Sequence, residues 1–81
     1  MDRINILWAD DEIELLKPHI LFLEDKGYNV IPVTSGDEAI DELQSTPIDL
    51  IFLDENMPGM SGLDTLAQIK ESYPQTPVVM I

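Results

Sequence analysis

The chain is 81 residues long, room for one small domain with a thin core, and its 44% hydrophobic content is more than a disordered tail carries. No cysteine is present, which excludes disulfides, thiolate metal sites and thiol nucleophiles and permits a reducing compartment. Sixteen Asp+Glu against four Lys+Arg give a net charge of -12, which repels phosphate backbones and anionic lipid heads, so the segment is read as binding neither nucleic acid nor membrane. The same charge suits a hard cation such as Mg²⁺, or simply solubility, and composition leaves both readings open. The stretch before Asp10 and Asp11 is too short for a signal-peptide core or a membrane span, and the chain is read as cytoplasmic.

Short apolar runs alternate with helical patterns. Ile4 to Ala9 reads as a strand buried on both faces. Ile13, Leu16, Ile20 and Leu23 then mark a helix that stops at Gly27, with Pro18 expected to bend it near its second turn. Tyr28 to Val33 is the second strand, and Pro32, which cannot donate to a neighbour, argues for a sheet edge. Ser-Gly-Asp-Glu from Ser35 reads as a capping box in which Glu38 reaches back to the cap, opening a helix with Ala39, Ile40 and Leu43 inward until Pro47. Asp49 to Leu53 is a third buried strand with Asp54 at its carboxyl end. A loop over 55–62 follows, and Leu63, Leu66 and Ala67 mark a third helix. Val78 to Ile81 is the fourth apolar run.

This β-α-β-α-β-α-β order predicts an α/β fold, a parallel sheet with helices on both faces. With the second strand at the edge, the strand order becomes 2-1-3-4, the flavodoxin-like start, whose binding crevice lies at the carboxyl ends of strands one and three. Asp10, Asp11 and Asp54 occupy those ends. At about 4 Å and an effective dielectric of about 20, each close carboxylate pair repels by roughly 4 kcal/mol, so either a proton is retained or a cation sits among them. Mg²⁺ fits that demand, and a carboxylate oxygen of Asp54 could then act as nucleophile toward phosphorus.

Each feature also has a plainer reading. Asp10 and Asp11 could cap the first helix, and Asp54 could be a polar residue that turns a strand into a loop. Asp54 to Gly59 begins like a calcium-binding loop, but Pro58 stands at a ligand position and Thr65 where a glutamate belongs, so that reading is set aside. Trp8, Phe52 and Met57 read as core or loop packing, with Trp8 a possible reporter on the site, and Glu12 and Glu14 as solvated residues of the first turn.

The conjunction is more specific than its parts. Ile6-Leu7-Trp8-Ala9-Asp10-Asp11-Glu12 and Leu50-Ile51-Phe52-Leu53-Asp54-Glu55-Asn56-Met57-Pro58-Gly59-Met60-Ser61-Gly62 resemble the two leading motifs of bacterial response-regulator receiver domains, and Gly27-Tyr28, Pro47 to Asp49 and Pro77 to Ile81 extend the likeness along the chain. Within that family, Trp8 and the Asp54 to Gly59 run are similar to PorX-type regulators of type IX secretion, whose receiver precedes a large effector region. The resemblance implies that Asp54 is the phosphoacceptor for a sensor histidine kinase. It makes Asp10 and Asp11 the acidic pair that holds Mg²⁺, one of them through water, and the Asn56 backbone carbonyl a further ligand. Met57 and Pro58 would shape the loop, and Gly62 would permit the turn into the third helix. Family members also carry a switch Ser or Thr after the fourth strand and a Lys on a fifth strand. Neither has a counterpart within these 81 residues. Residues 1–81 are therefore expected to be the N-terminal part of a receiver, truncated after the fourth strand and lacking the fourth helix, fifth strand and fifth helix, with self-association through the exposed fourth strand as a consequence.

Three function classes follow. The leading one is a two-component signalling module that accepts a phosphoryl group and is not a true enzyme. The second is a Mg²⁺-dependent phosphohydrolase, against which Asn56 stands where a second aspartate is usual. The third is a pseudo-receiver scaffold, against which all three acids are present.

Overall fold

Strands and helices alternate without interruption in a computed structural model that describes residues 3–81: β1 (Asn5–Ala9), a 3-10 turn (Ile13–Leu16), α1 (Lys17–Asp25), β2 (Asn29–Val33), α2 (Gly36–Ser45), β3 (Leu50–Leu53), α3 (Gly62–Ser72) and β4 (Val78–Met80). Met1 and Asp2, part of the stretch read as too short for a leader, lie outside the described residues. The sheet is parallel in the order β2-β1-β3-β4, as Pro32 suggested, with Trp8 level with Pro32 on one side and with Phe52 on the other. Among the described residues no helix is long and apolar enough to cross a membrane.

Side-chain alternation divides the core into two layers. Leu7, Ala9, Ile51 and Leu53 point to the side where Ala39 and Leu43 of α2 and Ile69 of α3 pack, together with Met57. Ile6, Trp8 and Val30 point to the other side, where Ile13 and the half-buried Leu16, Ile20 and Leu23 cover them. Each fully buried leucine or isoleucine side chain contributes about 1.5–3 kcal/mol, and on the first side Leu7, Ile51 and Leu53 are wholly enclosed, as are Ala9 and Ala39. The second layer is thinner: Leu50 and Phe52 are half-buried there, and Trp8 meets Phe52 edge to face at 5.0 Å. The Trp8 indole N–H is buried with no hydrogen-bond partner among the described residues.

Three local expectations change. Pro18 does not kink a helix. The chain runs as a 3-10 turn to Leu16 and the α-helix begins at Lys17, so Pro18 sits in its first turn, where a missing N–H has no helical partner to lose. Tyr28 is not a strand residue. It closes α1, donating its N–H to Leu23 O at 3.1 Å while Gly27 donates to Glu24 O at 3.0 Å, and Gly27 adopts φ 99° as that closure requires. Glu38 does not reach the cap residue itself. Ser35 Oγ accepts the Glu38 N–H at 3.2 Å, but the Glu38 carboxylate takes the N–H and hydroxyl of Thr34, at 2.6 and 2.7 Å. The third helix forms where Leu63, Leu66 and Ala67 marked it; α3 buries Gly62, Thr65 and Ile69, with Leu66 half-buried against the core, while Leu63 is 57% exposed and Ala67 also faces out. Gly62 sets that rotation, because it lies against the backbone of the preceding loop.

Candidate functional site

The parallel ladder delivers the acids to one rim. Asp10 donates its N–H to Val33 O at 3.1 Å and Asp54 donates to Ala9 O at 2.9 Å, so both are fixed by backbone bonds one residue past the ends of β1 and β3. Each then spends one carboxylate oxygen on turning the chain. Asp10 Oδ1 accepts the Glu12 N–H at 2.9 Å, and Asp54 Oδ1 accepts the Asn56 N–H at 3.2 Å. The plain turn-forming role is thus real for both, and it coexists with the clustering. Capping is not their role: Glu12 precedes the 3-10 turn and Leu16 precedes α1, neither with a side-chain cap bond.

One carboxylate oxygen from each of Asp10, Asp11 and Asp54 lies within 4.8 Å of the others. Asp10 and Asp54 are half-buried and Asp11 is exposed. Burial raises the Asp10 carboxyl above its ordinary value, the Glu12 N–H pulls it back, and the neighbouring Asp54 and Asp11 carboxylates raise it further. Two oxygens bound to one Mg²⁺ at about 2.1 Å stand at most about 4.2 Å apart, so small side-chain rotations fit this donor set to the ion. An all-oxygen set with mutually repelling charges is also the chemistry that ion selects. Asn56 is adjacent, its amide already tied to Asp54.

Glycines build the floor of the site. Gly62 has an ordinary negative φ, so it does not serve the turn through conformational freedom as the sequence suggested. Its role is close approach: a Cβ there would run into the carbonyl oxygen of Asp54 and stand 2.7 Å from Glu55 Cα. Gly59 is the residue in the loop with positive φ, at 78°. Sequence reasoning missed Gly36 and Thr65, which pack against each other where α2 meets α3, and Thr34, which the Glu38 carboxylate holds just past the end of β2. The signal available was the spacing of Gly62, Thr65 and Ile69 at three and seven, readable only if a glycine and a threonine count as packing residues.

Residues 6–81 match the family described as the response regulator receiver domain. The chain belongs to that family. Receiver domains act as phosphoacceptors in two-component signalling. Among its relatives, the transcriptional regulatory protein CpxR of Escherichia coli K12 is 42% identical over 77 residues, covering 95% of this chain and 32% of CpxR. Response regulator RR06 of Streptococcus pneumoniae is 37% identical over 78 residues, covering 96% of this chain and 36% of its own length. The chain therefore spans about a third of the length of the curated relatives it matches. Among solved structures, chemotaxis protein CheY4 of Vibrio cholerae superposes with a TM-score of 0.90 at 31% identity, covering 98% of this chain and 68% of that one. A chain in the complex of histidine kinase ThkA with response regulator protein TrrA superposes with a TM-score of 0.87 at 30% identity, covering 95% of this chain and 66% of that one.

Proposed function

We propose that this receiver takes a phosphoryl group onto Asp54 from a phosphohistidine of a sensor histidine kinase, in a Mg²⁺-dependent reaction, and passes the signal on by conformation. The observation that carries the reading is the meeting of Asp10, Asp11 and Asp54 at one rim of the sheet. An Asp54 carboxylate oxygen attacks phosphorus as the P–N bond of the donor breaks, and the departing imidazole nitrogen keeps the electron pair and takes up a proton. Asp10 and Asp11, with the Asn56 backbone carbonyl, would hold the Mg²⁺. When bound, that ion supplies positive charge against which the carboxylates and the incoming phosphoryl oxygens can coexist. The backbone bonds of Asp10 and Asp54 keep the acids at fixed separation, and the Asn56 amide on Asp54 Oδ1 orients the acceptor.

On this reading the protein is the recipient in a transfer and not a turnover catalyst. Residues 1–81 form the amino-terminal part of the receiver, and the switch Ser or Thr, the Lys and a C-terminal effector region belong to sequence beyond Ile81. The location is cytoplasmic, and the open edge of β4 is a place for self-association. The narrower likeness to PorX-type regulators rests on Trp8 and the Asp54 to Gly59 run, whereas the relatives named above as CpxR are transcriptional regulators.

Incubation of the intact protein with acetyl phosphate and Mg²⁺, read by intact mass, tests the assignment. One phosphoryl adduct on the wild type and none on Asp54→Ala is expected. Sustained release of phosphate with turnover would favour a phosphohydrolase, and no adduct on the wild type would favour a scaffold.

A further inference from the structure

A closed circuit of tight contacts surrounds the acid cluster. Asp10 is bonded to the carbonyl of Val33 at the end of β2, and the next residue, Thr34, is held by Glu38 through both its N–H and its hydroxyl. Ser35 then caps α2, and Gly36 begins that helix against Thr65: a Cβ on Gly36 would overlap Thr65 Oγ1 and stand 3.2 Å from Thr65 Cβ. Thr65 is fully buried, and its hydroxyl donates to Ser61 O at 2.8 Å within the first turn of α3. Three residues earlier on the same face, Gly62 lies against the Asp54 carbonyl and donates its N–H to Glu55 O at 3.1 Å. Asp54 returns to Ala9, the neighbour of Asp10.

We propose that Gly36, Thr65 and Gly62 are positioning residues for Asp54: the first turn of α3 is a spacer wedged between the start of α2 and the acceptor backbone, and its thickness sets how far the Asp54 carboxylate stands from Asp10 and Asp11. The inference rests on the acceptor reading above. Close-packed interiors transmit such displacements because there is no void to absorb them. A side chain added at Gly36 pushes on Thr65, and α3 passes the push through Gly62 to the carbonyl of Asp54. Removing the Thr65 side chain beyond Cβ unseats the same contact from the other side.

The test uses the intact protein with acetyl phosphate and Mg²⁺, scored as the initial rate of adduct formation per folded molecule, with the folded fraction taken from circular dichroism. A merely structural role changes the folded fraction and leaves that rate alone. Gly36→Ala is expected to slow it roughly tenfold and Thr65→Ala about threefold, given that a misplacement of about 1 Å can reduce a rate about 100-fold. The double variant, in which the alanine at 36 finds the room vacated by the Thr65 hydroxyl and methyl, is expected to recover at least the Thr65→Ala rate. If Gly36→Ala does not fold, Thr65→Ala decides alone. Wild-type rate in Thr65→Ala, with the wild type itself phosphorylated, overturns the positioning inference and leaves the acceptor reading standing. No adduct on the wild type overturns the acceptor reading, and this inference with it.

Discussion

At the amino ends of the strands, Asp49 Oδ2 accepts the Asn5 N–H at 2.8 Å, Asn5 Nδ2 donates to Pro47 O at 2.7 Å, and Asn29 Nδ2 donates to Asn5 Oδ1 at 3.0 Å. One asparagine on β1 thereby ties β2, β1 and the approach to β3 together, and the Asp49 carboxylate there has a donor. At the carboxyl ends, the same sheet gathers three carboxylates within 4.8 Å, and burial together with the neighbouring acids raises the Asp10 carboxyl. The amino end is arranged for stability, while the carboxyl end carries a charge arrangement that folding alone does not favour. A repulsive cluster held by backbone bonds on both sides makes physical sense as a place for a counter-charge.

Substitutions at each end sharpen this contrast. The largest change is expected for Asn5→Ala, which removes the bonds to Pro47 and Asn29. At about 0.5–1.5 kcal/mol for each such bond, urea unfolding should show a loss of about 1–3 kcal/mol, with the rate of phosphoryl acceptance unchanged. A smaller effect of opposite sign is expected for Asp10→Asn without divalent ions, because it relieves the repulsion. The gain, read as a higher melting temperature, is limited by the openness of the rim to solvent. The raised Asp10 carboxyl also fixes a pH trend. The folded protein holds this proton more tightly than the unfolded chain, so the Asp10 contribution favours folding at low pH and is lost as pH climbs from 3.8 through the raised folded value. Asp10→Asn should flatten that slope, whereas saturating Mg²⁺, which binds the deprotonated carboxylates, should reverse it.

The smallest effect is expected at Glu38, whose carboxyl is lowered by the Thr34 N–H and hydroxyl. Its contribution is present above 4.5 and fades as pH falls through the lower folded value, the reverse of Asp10. Comparison of Glu38→Gln with wild type across that window by thermal melts should show a difference at neutral pH that closes in acid. A pH-independent difference would mean that the Thr34 contact does not depend on charge.

Much of this was readable from the chain because backbone chemistry left marks. Pro32 placed β2 at an edge, and that one placement fixed the strand order and brought Asp10, Asp11 and Asp54 to one rim. Gly27 marked the end of α1 through its positive φ. The errors arose where side-chain polarity stood in for packing. Ile13 to Leu23 keep helical spacing across a 3-10 turn, so Pro18 looked like an interior residue when it is a first-turn one. Leu63, Leu66 and Ala67 marked α3 but not its buried face, which Gly62 sets by lying against the Asp54 backbone, leaving Leu63 and Ala67 in solvent. The contact of Gly36 with Thr65 joins residues 29 positions apart, and no local pattern announces it.

Calorimetric titration of the intact protein with Mg²⁺ tests most directly whether the three acids act as one site. The account predicts a single saturable site on the wild type, with binding lost in Asp54→Asn and in Asp10→Asn while both variants stay folded. Wild-type affinity in either variant would contradict it.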